Sequence, residues 1–243
     1  MSDPTAEGDE RNPWTRSGFL LSAGVVGLLL VLLVVVLVET STTNNGQAQP
    51  QPPAGTAGPA VSAPTRPAGP GPTTIPATPP QDVSWQLYRS VALPVSASAG
   101  PHEITDSAAT VYAHTPTGAL MAAAHIPVRK LIAPDWRRVV AEQVADGPGR
   151  DAYVKLREQV TNDTVTPGML GQIAGYKFVH YSPDTATIQI VTRFATKGTL
   201  QLTTLTVTWQ DGDWRLVLQP DGADSPTAQS LNSLAGFTEW GGV

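Results

Sequence analysis

The sequence predicts an α+β domain, with three N-terminal helices packed on a curved four-stranded antiparallel sheet, preceded by one transmembrane helix and a disordered Pro-rich linker. Three observations carry this expectation. Residues 17–38 hold no charged side chain. Eleven of the 23 prolines fall between Pro50 and Pro80. Residues 84–243 pass from apolar spacing at helical period to alternation of period two. Four pieces result: a head (1–17), a membrane helix (18–38), a linker (39–83) and an exported domain (84–243). The last piece is long enough to bury about 70% of its unfolded surface and fold alone.

The apolar run comes first. Gly18 opens it, and Leu28 to Val38 consists only of Leu and Val. A helix over the 22 uncharged residues spans roughly 33 Å, close to the hydrocarbon thickness of about 30 Å. A buried core helix would show a polar stripe, and this run has none. It exceeds the apolar core of a signal peptide, and no small-x-small site follows directly, so an uncleaved anchor is expected. Arg11 and Arg16 precede it, and no Lys or Arg follows until Arg66. The positive-inside rule then keeps the N-terminus cytoplasmic and places the C-terminal domain outside the cell membrane. Gly18 with Ser22, and Ala23 with Gly27, put small residues four apart on one face. That spacing permits a homo-oligomer through close helix–helix approach, although small residues are common in membrane helices anyway.

Residues 39–83 nearly lack large apolar side chains, so nothing there offsets the entropy of folding. Repeated X-Pro steps favour extended polyproline conformation. Two readings stand side by side: a spacer holding the domain off the membrane, and a passive tether of no required length.

In the exported part, Trp85 to Pro94 reads as a strand or an extended lead-in. Thr115-Pro116 is an N-cap followed by proline at the first helical position, and the Ala-rich run to Ile126 fits a closely packed helix. Pro127 should kink or end its regular part. Trp136, Val139, Val140 and Val144 recur at helical spacing, and Asp146-Gly147-Pro148 stops that second helix. A third helix runs from about Arg150 with Tyr153, Leu156 and Val160 inward. Four strands follow over 173–181, 185–196, 199–210 and 214–218, with Asp211-Gly212 as a hairpin turn. The tail after Pro220 reads as loop, with Leu231, Leu234, Phe237 and Trp240 docked on the domain.

Composition excludes several chemistries. The chain has no cysteine, hence no disulfide framework, thiol catalysis or thiolate zinc site. Residues 84–243 carry 12 Lys and Arg against 14 Asp and Glu, which is not the basic balance of a direct nucleic-acid binder. Gly147-Pro-Gly149-Arg-Asp-Ala152 fits a dinucleotide fingerprint in letters alone, because a helix rather than a strand precedes it. A Gly-Pro turn between helices explains it better. His102, His114, His125 and His180 lack metal-binding spacing. There is no G-x-S-x-G elbow and no P-loop. Acids near the strands, Asp184, Asp211 and Asp213, all sit at turns, so no strand interior supplies a general base. No catalytic residue, cofactor or metal is therefore expected. His125, in its Ala-rich helix, is either an interior hydrogen-bonded residue or the one candidate for proton transfer. Arg129, Lys130, Arg137 and Arg138 flank Pro134. They form either a solvated helix face or a contact with an acidic partner or lipid phosphate.

Trp85-Gln-Leu-Tyr88, Leu93-Pro94, the segment Ala113 to Leu120 (AHTPTGAL), Gly147 to Asp151 (GPGRD) and Trp240-Gly241-Gly242 resemble an uncharacterised family of actinobacterial single-pass membrane proteins, often associated with integrative conjugative elements. The overall layout is similar to TcpC-like bitopic scaffold proteins of conjugation and type IV secretion machines. That resemblance implies a cone-shaped exported domain like that of nuclear transport factor two. It also implies a non-enzymatic scaffold in a cell-envelope complex, with the lipid bilayer and other envelope or conjugation proteins as partners. It brings no catalytic residue with it. The alternatives are a ligand- or cell-wall-binding module, and an isomerase- or dehydratase-like enzyme using a pocket inside the cone.

Overall fold

The computed structural model describes residues 73–160, 170–195 and 198–242. Strands come first. β1 (Val83–Tyr88) and β2 (Val91–Ser96) form an antiparallel hairpin. β3 (Glu103–Ile104) and β4 (Ala109–Thr110) form a second, very short one. The segment before β1 is fastened by Asp82, whose carboxylate accepts from the Ser96 and Ser98 hydroxyls and the Ser98 N–H.

Three helices follow. In α1 (Pro116–Ile132) the Thr115 hydroxyl accepts the Gly118 N–H at 3.1 Å, and proline occupies the first turn. The helix runs on past Pro127, where an end or kink was expected, and stops before Pro134. Its small side chains explain its tight seat: Ala119, Ala122, Ala123 and Ala124 are all buried. In α2 (Trp136–Gln143) the Asp135 carboxylate caps the Arg138 N–H at 3.0 Å. α3 spans Pro148–Glu158. Its Tyr153 and Arg157 are buried, and Leu156 is only half-buried.

The main sheet holds β5 (Gln172–Tyr181), β6 (Thr185–Phe194), β7 (Thr199–Gln210), β8 (Asp213–Val217), β9 (Ala228–Leu231) and β10 (Thr238–Glu239). Its order is β10-β5-β6-β7-β8, with β9 pairing the N-terminal part of β7, and every pairing is antiparallel. The β7–β8 turn is Asp211-Gly212, both left-handed, as a two-residue hairpin requires.

This arrangement corrects the expected fold class. The helices do not open the domain: four strands precede them. The sheet has six strands rather than four, because the tail read as loop returns twice to pair with β7 and β5. Ile188, Leu205, Val207, Trp214 and Leu216 of the sheet pack against Leu120, Met121 and Ile126 of α1 in one core. The expectation of three leading helices on a four-stranded cone is therefore set aside.

Two glycines mark close backbone approaches. A Cβ on Gly149 would lie 2.6 Å from the Leu218 carbonyl oxygen. A Cβ on Gly118 would strike the Ala113 carbonyl. The GPGRD segment is thus the packing of α3 on the end of β8, not a phosphate loop. The AHTPTGAL segment also serves packing: His114 stacks on Trp209 at 3.9 Å, and the Trp214 indole N–H donates to the Ala113 carbonyl at 3.0 Å.

Candidate functional site

His125 and Arg129 lie one helical turn apart on α1 and so share a face. That face turns toward Pro94 of β2 and the loop joining β3 to β4. His125 is 1% exposed and Arg129 is 2% exposed. The His125 Nε2–H donates to the Pro94 carbonyl at 2.7 Å. The other ring nitrogen, Nδ1, accepts from Arg129 Nε at 3.3 Å. Both nitrogens are engaged, which fixes the tautomer. Burial pushes the imidazole pKa down to about 3; the Pro94 carbonyl opposes this, and the Arg129 charge adds to it. His125 is neutral near pH 7 and has no free lone pair for proton transfer.

Arg129 organises the loop above it. Its Nη1 donates to the carbonyls of Thr105 and Ser107 at 3.2 and 3.1 Å. The Tyr88 ring covers the guanidinium at 4.0 Å, a cation–π contact. The Tyr88 hydroxyl donates to the Asp106 carbonyl at 2.8 Å, and Arg89 pairs with the Asp106 carboxylate at 3.1 Å. The Ser107 hydroxyl accepts the Asp135 N–H, tying the loop to the start of α2. Burial lowers the Arg129 pKa, while the two neighbouring tyrosines and Asp106 act the other way. Among the described residues no carboxylate lies within ion-pair distance of Arg129, and its Nη2 has no hydrogen-bond acceptor.

These groups line a pocket of about 130 Å³, closed by Leu87, Tyr88, Ile104, Asp106, His125 and Arg129 among others. Its rim is open to water and mixes the apolar Leu87 and Ile104 with the polar Gln86, Thr105 and Asp106. Leu87 is 76% exposed and Ile104 is 42% exposed, two of the four exposed large hydrophobic residues described. A buried cation held by carbonyls and an aromatic face, beside exposed apolar side chains, suits an anionic group on an apolar carrier. The pocket holds no nucleophile–base pair. Among the described residues no three metal-ligating side chains gather.

The four basic residues considered as a contact patch are separated. Arg129 floors the pocket. Lys130 is buried and pairs with Asp224 at 2.9 Å, under the Tyr153 ring at 4.0 Å. Burial lowers the lysine pKa, but Asp224 and Tyr153 outweigh it, and the net direction is upward. Arg137 is exposed, lies over Trp136 and pairs with Glu158 at 3.2 Å. Arg138 pairs with Glu142 at 2.9 Å. Gly18, Leu28 and Val38 of the expected anchor lie outside the described residues. Among the described residues no helix is long and apolar enough to cross a membrane. Ile104 carried no signal in the sequence, and Leu87 and Tyr88 stood there only as part of the Trp85-to-Tyr88 motif, with no site role. The available signal was the His125–Arg129 spacing on an otherwise apolar helix, which calls for polar partners from another segment.

The described residues thus form a six-stranded antiparallel sheet with three helices, and a pocket floored by a buried arginine lies beside β1. Residues 48–239 match a family described as a domain of unknown function, DUF8175, and the chain belongs to that family. No curated protein and no solved structure matches it.

Proposed function

We propose that the chain is a non-enzymatic, single-pass membrane scaffold subunit of a cell-envelope complex, whose folded domain acts by contact at the Arg129 pocket. The observation that carries this reading is the buried guanidinium without a carboxylate partner, set beneath the exposed Leu87 and Ile104. Buried charge is costly unless it is compensated, and the exposed side chains of Leu87 and Ile104 suit a surface that is covered in use. His125, the one side chain with a case for proton transfer, has both ring nitrogens committed. The reading uses the apolar run 18–38 as anchor, with the N-terminus cytoplasmic and the domain outside. It takes a conjugative or secretion apparatus as the assembly, on the strength of the overall layout of anchor, spacer and domain.

The test is mild crosslinking of native membranes, followed by affinity purification through residues 1–17 and mass spectrometry. Recovery of channel, conjugation ATPase or cell-wall hydrolase subunits is the expected result. Recovery of the protein alone, or with peptidoglycan fragments only, would replace the scaffold reading with a cell-wall-binding one.

A further inference from the structure

The open edge of β1 adds a second, independent feature to this site. The β1–β2 turn has two residues, Arg89 and Ser90, so Tyr88 and Val91 form the hydrogen-bonded closing pair. The alternate residues Val83, Trp85 and Leu87 then direct their N–H and C=O away from β2. The register agrees, because Pro94, which has no N–H, stands opposite Trp85 at a non-bonded pair. β1 pairs with β2 alone, and among the described residues no backbone hydrogen bond takes up the outer groups of Trp85 or Leu87. The last three residues of this edge, Gln86, Leu87 and Tyr88, border the Arg129 pocket.

We propose that the site binds an extended acidic peptide segment of a partner protein. The segment adds as a strand to β1 and seats one Asp or Glu carboxylate against Arg129. Its main-chain groups take up the outward N–H and C=O of Leu87 and Trp85, and an apolar side chain covers Leu87 and Ile104. The carboxylate meets the guanidinium where no described carboxylate does, forming a charge-assisted contact that the bound segment shields from water. A free small acid fits the cation but uses neither the strand edge nor the exposed Leu87, so the observations favour a peptide. This inference rests on the contact role proposed above, but it has its own failure mode. Envelope partners can be recovered by crosslinking even if this site binds no peptide.

The experiment selects a phage-displayed random heptapeptide library against the purified full-length protein in detergent micelles. Enriched sequences are expected to share one Asp or Glu among β-branched or aromatic residues. By fluorescence polarisation, an enriched peptide should bind about tenfold more tightly than its Gln- or Asn-substituted version. Arg129→Met should erase that preference, and Leu87→Pro should weaken both peptides by about tenfold, since it removes an outward N–H and leaves the β2 pairing intact. The wild-type comparison stands even if a variant misfolds, and circular dichroism identifies such a variant. The proposal is overturned by failure to enrich, by enriched peptides without an acid, or by equal binding of the acid and amide forms. It is also overturned if acetate displaces the peptide at a concentration equal to the peptide's own Kd.

Discussion

The His125–Arg129 pair shows how burial assigns roles to two polar side chains. One ring nitrogen donates to a carbonyl and the other accepts from a guanidinium, so adding a proton would place two donors face to face. The consequence is a stability slope. The unfolded chain takes up a proton at His125 near pH 6.5, and the folded protein does so only at about pH 3. Between those values the unfolded state binds more protons, so the stability present above pH 6.5 is lost as the pH falls. The loss is about 1.4 kcal/mol per pH unit. Denaturant melts of the wild type and His125→Gln between pH 6 and pH 4 should converge at about that rate. Parallel curves would show that the ring titrates normally. This part of the site was half legible in the sequence. The interior, hydrogen-bonded reading of His125 was available from its Ala-rich helix, but the burial of Arg129 was not. Arg129 and Lys130 are adjacent and chemically alike, yet one floors a pocket and the other closes an ion pair with Asp224, more than ninety positions away. Only the tertiary fold sets that difference.

At the scale of elements, the β7–β8 turn does more than reverse the chain. The Asp213 carboxylate accepts from the N–H groups of Val111, Tyr112 and Trp214 at 2.7, 3.0 and 2.9 Å. It fastens the segment leading into α1 to the sheet, and Val111 holds a left-handed φ of 64° there. Asp213→Ala leaves those donors without their acceptor and should lower unfolding stability by about 1–3 kcal/mol, read by chemical denaturation. An unchanged midpoint would remove the clamp from the account. The long helices and strands were readable because their periods are sustained and their caps and turns are orthodox: Thr115, Asp135, and Asp211 with Gly212. The short hairpins were not. The β1–β2 turn uses Arg89 at a φ of 57° with Ser90, where Gly, Asn or Asp would signal a turn. β2 carries Pro94 and is buried almost throughout, so alternation is absent. β9 and β10 have four and two residues, and their pairing with β7 and β5 comes from long-range contacts that carry no local pattern. Those unreadable pieces are the ones that change the fold class.

At the scale of the whole molecule, an expected membrane anchor and a Pro-rich stretch precede a domain with one hydrophobic core cluster and a pocket beside β1. The surface feature that stands out combines an unpaired strand edge, the exposed Leu87 and Ile104, and a buried cation at one place. The central claim is that this edge is a contact site, and it is tested most directly by photo-crosslinking in native membranes. p-Benzoylphenylalanine is placed at Leu87 in one strain and at Val179, exposed on β5, in another. The account predicts a crosslink from Leu87 to an identified envelope protein, absent from Val179 and lost with Arg129→Met. The same products from both positions, or uncrosslinked protein at both, would contradict it.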